Sequence, residues 1–186
     1  LWTDIDTSRS YVEVIYARRP FTATLADLSA VITAGVGGVE DLALVTGRGE
    51  IPADGLRWGA LASQAVANRL GYAVPRITRT EAATLAATSG KSDLIAIGTP
   101  EDLAGIAPVA LENLKGEDSW LSIGPSPADP TRFLIIVSGR TPAAIEGAVR
   151  AFAAGNFPVS DTASLVLSPD EIPKGNLMPR KQTLRT

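Results

Sequence analysis

The residues with the best placement for chemistry are Gly139, Arg140 and Thr141, a glycine, a cation and a hydroxyl in consecutive positions between the apolar run Phe133–Val137 and a helical pattern starting at Pro142. A cation and free backbone amides meeting at one helix start can hold an anion. The same residues also make an ordinary capped turn, with Thr141 as the cap and Pro142 at the first helical position, and this plainer reading is favoured. Two other turns have weaker claims to phosphate. Gly47-Arg48-Gly49 lacks the last glycine of GxGxxG, and Glu50-Ile51-Pro52 separates it from its helix. Gly98-Thr99-Pro100 leads into Glu101 and Asp102, whose charges suit a helix start but repel phosphate.

Carboxylates in pairs can cleave glycosidic bonds. Glu112, Glu117 and Asp118 lie close together, but in ENLKGEDSW, a polar connection that reads as a solvated loop. Trp2, Trp58 and Trp120 could stack on sugar faces. Trp58 fits a helical core stripe, whereas Trp2 and Trp120 stay open as sugar contacts or as packing against a neighbouring domain.

Composition removes whole classes of mechanism. The 186 residues contain neither cysteine nor histidine, so thiolate and imidazole zinc sites, Cys/His pairs and Ser/His/Asp triads are excluded. A net charge of -3 without a basic block speaks against nucleic acid. Apolar runs fall short of the roughly 20 residues that span a bilayer. The length suits one α/β core with tails, and the start at Leu1 reads as a processed product or a piece of something longer.

The elements that must position these residues follow from periodicity. Phe133–Val137 and Asp93–Gly98 read as strands buried on both faces, and Leu42–Thr46 as another core strand. Trp120–Ile123 and Phe133–Val137 flank the turn-rich GPSPADPTR, which suggests an antiparallel hairpin. Leu165–Leu167 makes a last short strand, Val74–Thr78 another, and Tyr11–Tyr16 alternates as an edge or linker strand.

Helical stripes run through Leu25, Leu28, Val31 and Ile32, through Trp58, Leu61, Ala62, Ala65 and Val66, and through Ile145, Ala148, Val149 and Phe152. Glu146 and Arg150 form a water-facing i, i+4 pair, and Gly155 is placed to end the last helix. Further helices are expected to open at Thr80-Glu81 and at Thr99-Pro100. This alternation predicts an α/β fold: a mixed, mainly parallel sheet with helices on both faces. The expected division is 1–20 as the end of a preceding β segment or linker strand, 21–168 as the α/β domain, and 169–186 as a linker tail.

The pieces LWTDIDTSRSYVEV, RPFTATLADL, IPADGLRWGALASQAVANRLGY, SDLIAIGTPEDL and RFLIIVSGRTPAAIEGAVRAFA together resemble the periplasmic regulatory subunit of bacterial cellulose synthase. The resemblance runs from Leu1 to about Leu167 and consists of strand and helix signatures rather than a catalytic motif. It implies a flavodoxin-like domain without cofactor, metal or catalytic residues, in a longer chain that alternates such domains with carbohydrate-binding-like β domains. It further implies the catalytic cellulose synthase subunit as partner, possible contact with cellulose, a periplasmic location, and tethering to the inner membrane through segments absent from this sequence. The strand-SGR-helix piece alone also looks like the non-catalytic α/β domain that precedes some glycosidase barrels. A flavin- or nucleotide-binding α/β domain and an accessory domain of a glycoside hydrolase are the alternative readings.

Overall fold

Runs of branched apolar residues have no solvent face to offer, so they become the centre of a sheet. In a computed structural model that describes residues 22–36, 41–46, 53–70, 76–80, 92–106, 114–155, 157 and 161–174, three such runs lie side by side. They are β1 (Asp41–Thr46), β3 (Asp93–Gly98) and β5 (Phe133–Gly139), joined by β2 (Arg76–Thr80), β4 (Ser119–Pro125) and β6 (Ser164–Leu167) in a six-stranded sheet of order β2-β1-β3-β5-β4-β6. The first four in that order are parallel, whereas β4 runs antiparallel to both β5 and β6. The fold is therefore α/β with a mixed sheet, as expected. Its order shares the 2-1-3 portion of the flavodoxin-like arrangement and departs from it where β4 enters antiparallel.

The predicted hairpin is β4–β5, in register from Ser119 opposite Gly139 to Pro125 opposite Phe133. Asp129 closes its loop. Its Oδ1 accepts from the Thr131 amide at 2.9 Å and the Thr131 hydroxyl at 2.7 Å, an Asx turn that gives the backbone an alternative to strand.

Period-2 alternation divides the sheet residues between two cores. Leu42, Leu44, Ile95, Ile97, Ile135 and Val137 face one side, where they meet α1 (Leu28–Val36), α2 (Ala53–Leu70) and α3 (Pro142–Ala154). A short 3-10 turn, Leu25–Asp27, leads into α1, and its Leu25 is buried in the same core. Phe152 of α3 is wholly buried there, a placement that stabilises by roughly 1.5–3 kcal/mol relative to exposure. On the opposite side Ala43, Val45, Leu94, Ala96, Leu134, Ile136 and Trp120 pack beneath Leu103, Ile106 and Leu114.

All three described helices thus cover one face. The helix expected to open at Thr80-Glu81 falls on residues 81–91, and the strand expected over Tyr11–Tyr16 on residues 1–21; both lie outside the described residues. The opening at Thr99 is present: its hydroxyl accepts from the Asp102 amide at 3.1 Å and donates to Asp102 Oδ2 at 2.9 Å. Residues 100–106 then form a series of turns rather than a regular helix, because Gly105 adopts a φ of 96°, which breaks the right-handed winding. Strand β2 is described from Arg76, the expected start at Val74 lying outside the described residues, and its register is set by pairing Arg76 with Asp41 and Ile77 with Leu42.

Candidate functional site

Where β5 delivers the chain into α3, Gly139, Arg140 and Thr141 stand together as the sequence indicates. Thr141 is the N-cap of α3, its hydroxyl oxygen accepting from the Ala144 amide at 3.2 Å, with Pro142 immediately after it. Gly139 is required by packing. A Cβ on it would lie 2.5 Å from the Ala144 Cβ and 2.8 Å from the Ile145 nitrogen, so only glycine lets α3 come this close to the strand end.

Arg140 turns toward the opposite face of the sheet. Its Nε donates to the Leu114 carbonyl at 2.5 Å, and its Nη1 lies 3.8 Å from Glu101 Oε1. The cation therefore joins the segment that carries Leu114 to the one that carries Glu101 and Leu103, and both cover the second core. A guanidinium held this way, with one helix-start amide already capped, has the geometry of a structural clamp.

Trp120 sits in β4 on the second face, 5% exposed. It borders an open groove of about 470 Å³ whose other lining includes Ile106, Ser122, Gly124, Leu134 and Ser164. The indole Nε1 is buried and finds no acceptor among the described residues. Trp58 occupies the first core, as its helical stripe predicts. Trp2 lies outside the described residues, as do Glu112 and the Gly47-Arg48-Gly49 turn. Glu117 is exposed on the loop before β4 and borders a smaller crevice of about 270 Å³ with Glu146 and Arg150. No group of three or more metal-ligating side chains occurs among the described residues.

Several polar contacts have only faint sequence signals. Asp93 opens an otherwise apolar strand and is 1% exposed; its Oδ1 accepts from the Phe133 amide at 3.1 Å, and its Oδ2 lies 3.9 Å from Arg132 Nη1. One charge at the head of an apolar run is the signal that could have found it. The expected Glu146–Arg150 pair is formed at 3.0 Å, and it extends to Arg57 of α2, which also binds Glu146. Arg69 near the end of α2 donates to the Ala65 carbonyl at 3.0 Å and the Phe152 carbonyl at 2.5 Å. Burial pulls its guanidinium below the ordinary arginine value. These are contacts between packed elements, and each uses its charge to satisfy a backbone carbonyl or an opposite charge.

No described helix is long and apolar enough to cross a membrane. No curated protein matches this chain. The family model described as cellulose synthase BcsB, first FD domain, matches residues 56–166, which runs from the first turn of α2 through nearly all of β6. The match covers more than half of the sequence and takes in the β5–α3 turn, the Trp120 groove and the parallel strands β2, β3 and β5, and on that ground the chain belongs to the cellulose synthase BcsB family, as its first FD domain.

Proposed function

We propose that this chain is a non-catalytic scaffold and regulatory module of a bacterial cellulose synthase complex, supporting export of the glucan on the periplasmic side. The family match over residues 56–166 carries this reading. The use of the polar groups agrees with it: at the β5–α3 turn a glycine, a cap and an arginine all serve packing and the fastening of one segment to another. In this reading residues 21–168 form the α/β unit, 1–20 end a preceding β segment and 169–186 begin a linker. Neighbouring carbohydrate-binding-like domains and the catalytic subunit are the partners, and the membrane tether belongs to other parts of the longer protein.

A glucan chain passing the module would touch it at the groove beside Trp120, where Ser122 and Ser164 place two hydroxyls in an otherwise mainly apolar lining. The Gly139-Arg140-Thr141 turn would meet anionic groups only through the exposed part of Arg140, whose side chain is 38% accessible. The test is co-purification of the full-length regulatory chain with the catalytic subunit, with and without residues 21–168, alongside glucan hydrolysis by the isolated chain. Weakened association on deletion and no hydrolysis are expected. Measurable hydrolysis by the isolated chain, abolished by changing Glu117 and Asp118, would overturn the reading in favour of a carbohydrate-processing enzyme.

A further inference from the structure

Beyond β6 the sequence turns to proline and charge, a composition that reads as linker, yet the first residues past the strand are fastened to the domain. The Glu171 carboxylate accepts from the Ser168 amide at 2.9 Å and the Ser168 hydroxyl at 2.8 Å, while the Glu171 amide donates to the Ser168 carbonyl at 3.0 Å. Three hydrogen bonds therefore close a single turn. That turn aims Ile172 back at α3, where Gly147 provides the seat.

A Cβ at Gly147 would stand 3.2 Å from both Ile172 Cδ1 and Cγ1, and 2.6 Å from Ser119 Oγ. The missing side chain is the space that Ile172 and Ser119 occupy. Ser119 itself is buried and bonded to the Ala144 carbonyl at 2.7 Å, so the floor of the seat is fixed to α3 and β4 together. Ile172 and Pro173 are half-buried, and Pro169 and Ile172 form one wall of the 270 Å³ crevice along α3. Isoleucine on a surface tail with no docking role would be an exposed apolar side chain; here it is half-buried against the bare backbone of Gly147.

We infer that Ser168–Lys174 is a clasp: Ile172 locked on Gly147 fixes the direction in which the chain leaves the α/β unit, so any later segment is held at a set angle along the flank of α3. The clasp makes the exit a rigid elbow in place of a free hinge. A module that supports its neighbours needs such an elbow, because a swivelling exit would transmit no position. The inference goes beyond the proposed function and stands on contacts within this chain alone, so loss of one does not entail loss of the other.

Amide hydrogen exchange on the 186-residue chain tests it. In the wild type the Ser168 and Glu171 amides exchange more than about 10-fold slower than their random-coil rates. Ile172→Ser and, separately, Glu171→Ala bring both amides to the random-coil rate while β4 and β5 amides keep their protection. Glu171 is exposed, so Glu171→Ala leaves the sheet folded even where Ile172→Ser does not. Random-coil exchange at Ser168 and Glu171 in the wild type, or protection that survives both substitutions, would overturn the clasp.

Discussion

Arg140 Nε donates to the backbone carbonyl of Leu114 at 2.5 Å, linking the start of α3 to the segment that roofs the opposite face of the sheet. Through this contact the residue with the strongest claim to anion chemistry in the sequence is spent on holding the two layers together. Arg140→Gln lowers stability by about 1 kcal/mol, the part left after discounting a charge-assisted hydrogen bond for partial exposure. Arg140→Lys loses nearly as much, because a lysine lacks the Nε–H that the carbonyl uses. Urea unfolding measures both: the midpoint falls with the slope unchanged. Full recovery of stability by lysine would mean that charge alone matters at this position.

Gly139 of β5 and Gly124 of β4 lie towards opposite ends of the hairpin, Gly139 opposite Ser119 and Gly124 opposite Leu134. A Cβ at Gly139 would stand 2.5 Å from Ala144 Cβ, whereas among the described residues no atom comes within 4 Å of one at Gly124. Gly139→Ala therefore costs about 2–3 kcal/mol by forcing α3 away from β5. Gly124→Ala is neutral or stabilises by about 0.5 kcal/mol, since alanine loses less backbone entropy in a strand. Thermal unfolding of the two variants side by side reads the contrast.

Arg69 lies with its guanidinium carbon 5.0 Å from the centre of the Phe152 ring while bonding carbonyls of both α2 and α3. Gly155 allows this, since its left-handed φ of 63° ends α3 and a Cβ there would strike Arg69 Nη2 at 2.6 Å. Arg69→Met keeps the apolar stem but loses the hydrogen bonds and the cation over the ring, for a cost of about 2 kcal/mol in chemical denaturation. Gly155→Ala costs a similar amount through backbone strain and displacement of the arginine.

Two exposed carboxylates titrate below their ordinary values. Asp27 is held down by the Thr24 amide and hydroxyl, and Glu171 by those of Ser168. Because each folded value lies below the unfolded one, the contribution to stability is complete above the ordinary values of 3.8 and 4.5 and is lost as pH falls through the folded values. Amide shifts of Thr24 and Ser168, followed by NMR from about pH 6 to pH 2, are expected to show midpoints below those two values. Asp27→Asn removes the Thr24 transition and leaves the Ser168 one.

The legible parts of the fold are those in which a single physical signal dominates. Asp93–Gly98 and Phe133–Gly139 stand out because strands buried on both faces carry few polar residues to blur the pattern, and α3 because its cap, proline and terminal glycine agree. Strand β2 is harder to read, since RITRT has one apolar side chain and pairing with β1 decides its register. The turns after Thr99 begin with a genuine capping box, and Gly105 diverts them; a glycine reveals its φ only in three dimensions. Nor does periodicity tell which face of the sheet a helix will cover, so the gathering of the three described helices on one side has no signal in the sequence. At the turn itself, the Thr141 cap is legible from local chemistry, whereas the Arg140–Leu114 contact joins residues 26 apart and needs the sheet to bring them together.

The most direct measurement is the rate of cellulose synthesis by membrane vesicles that carry the catalytic subunit together with the full-length regulatory chain, compared with vesicles in which residues 21–168 of that chain are replaced by a flexible linker. A supporting module predicts a marked fall in polymer output from the replaced form, and restoration by an intact module bearing Glu117→Gln and Asp118→Asn. Undiminished synthesis from the linker-replaced chain would contradict the account.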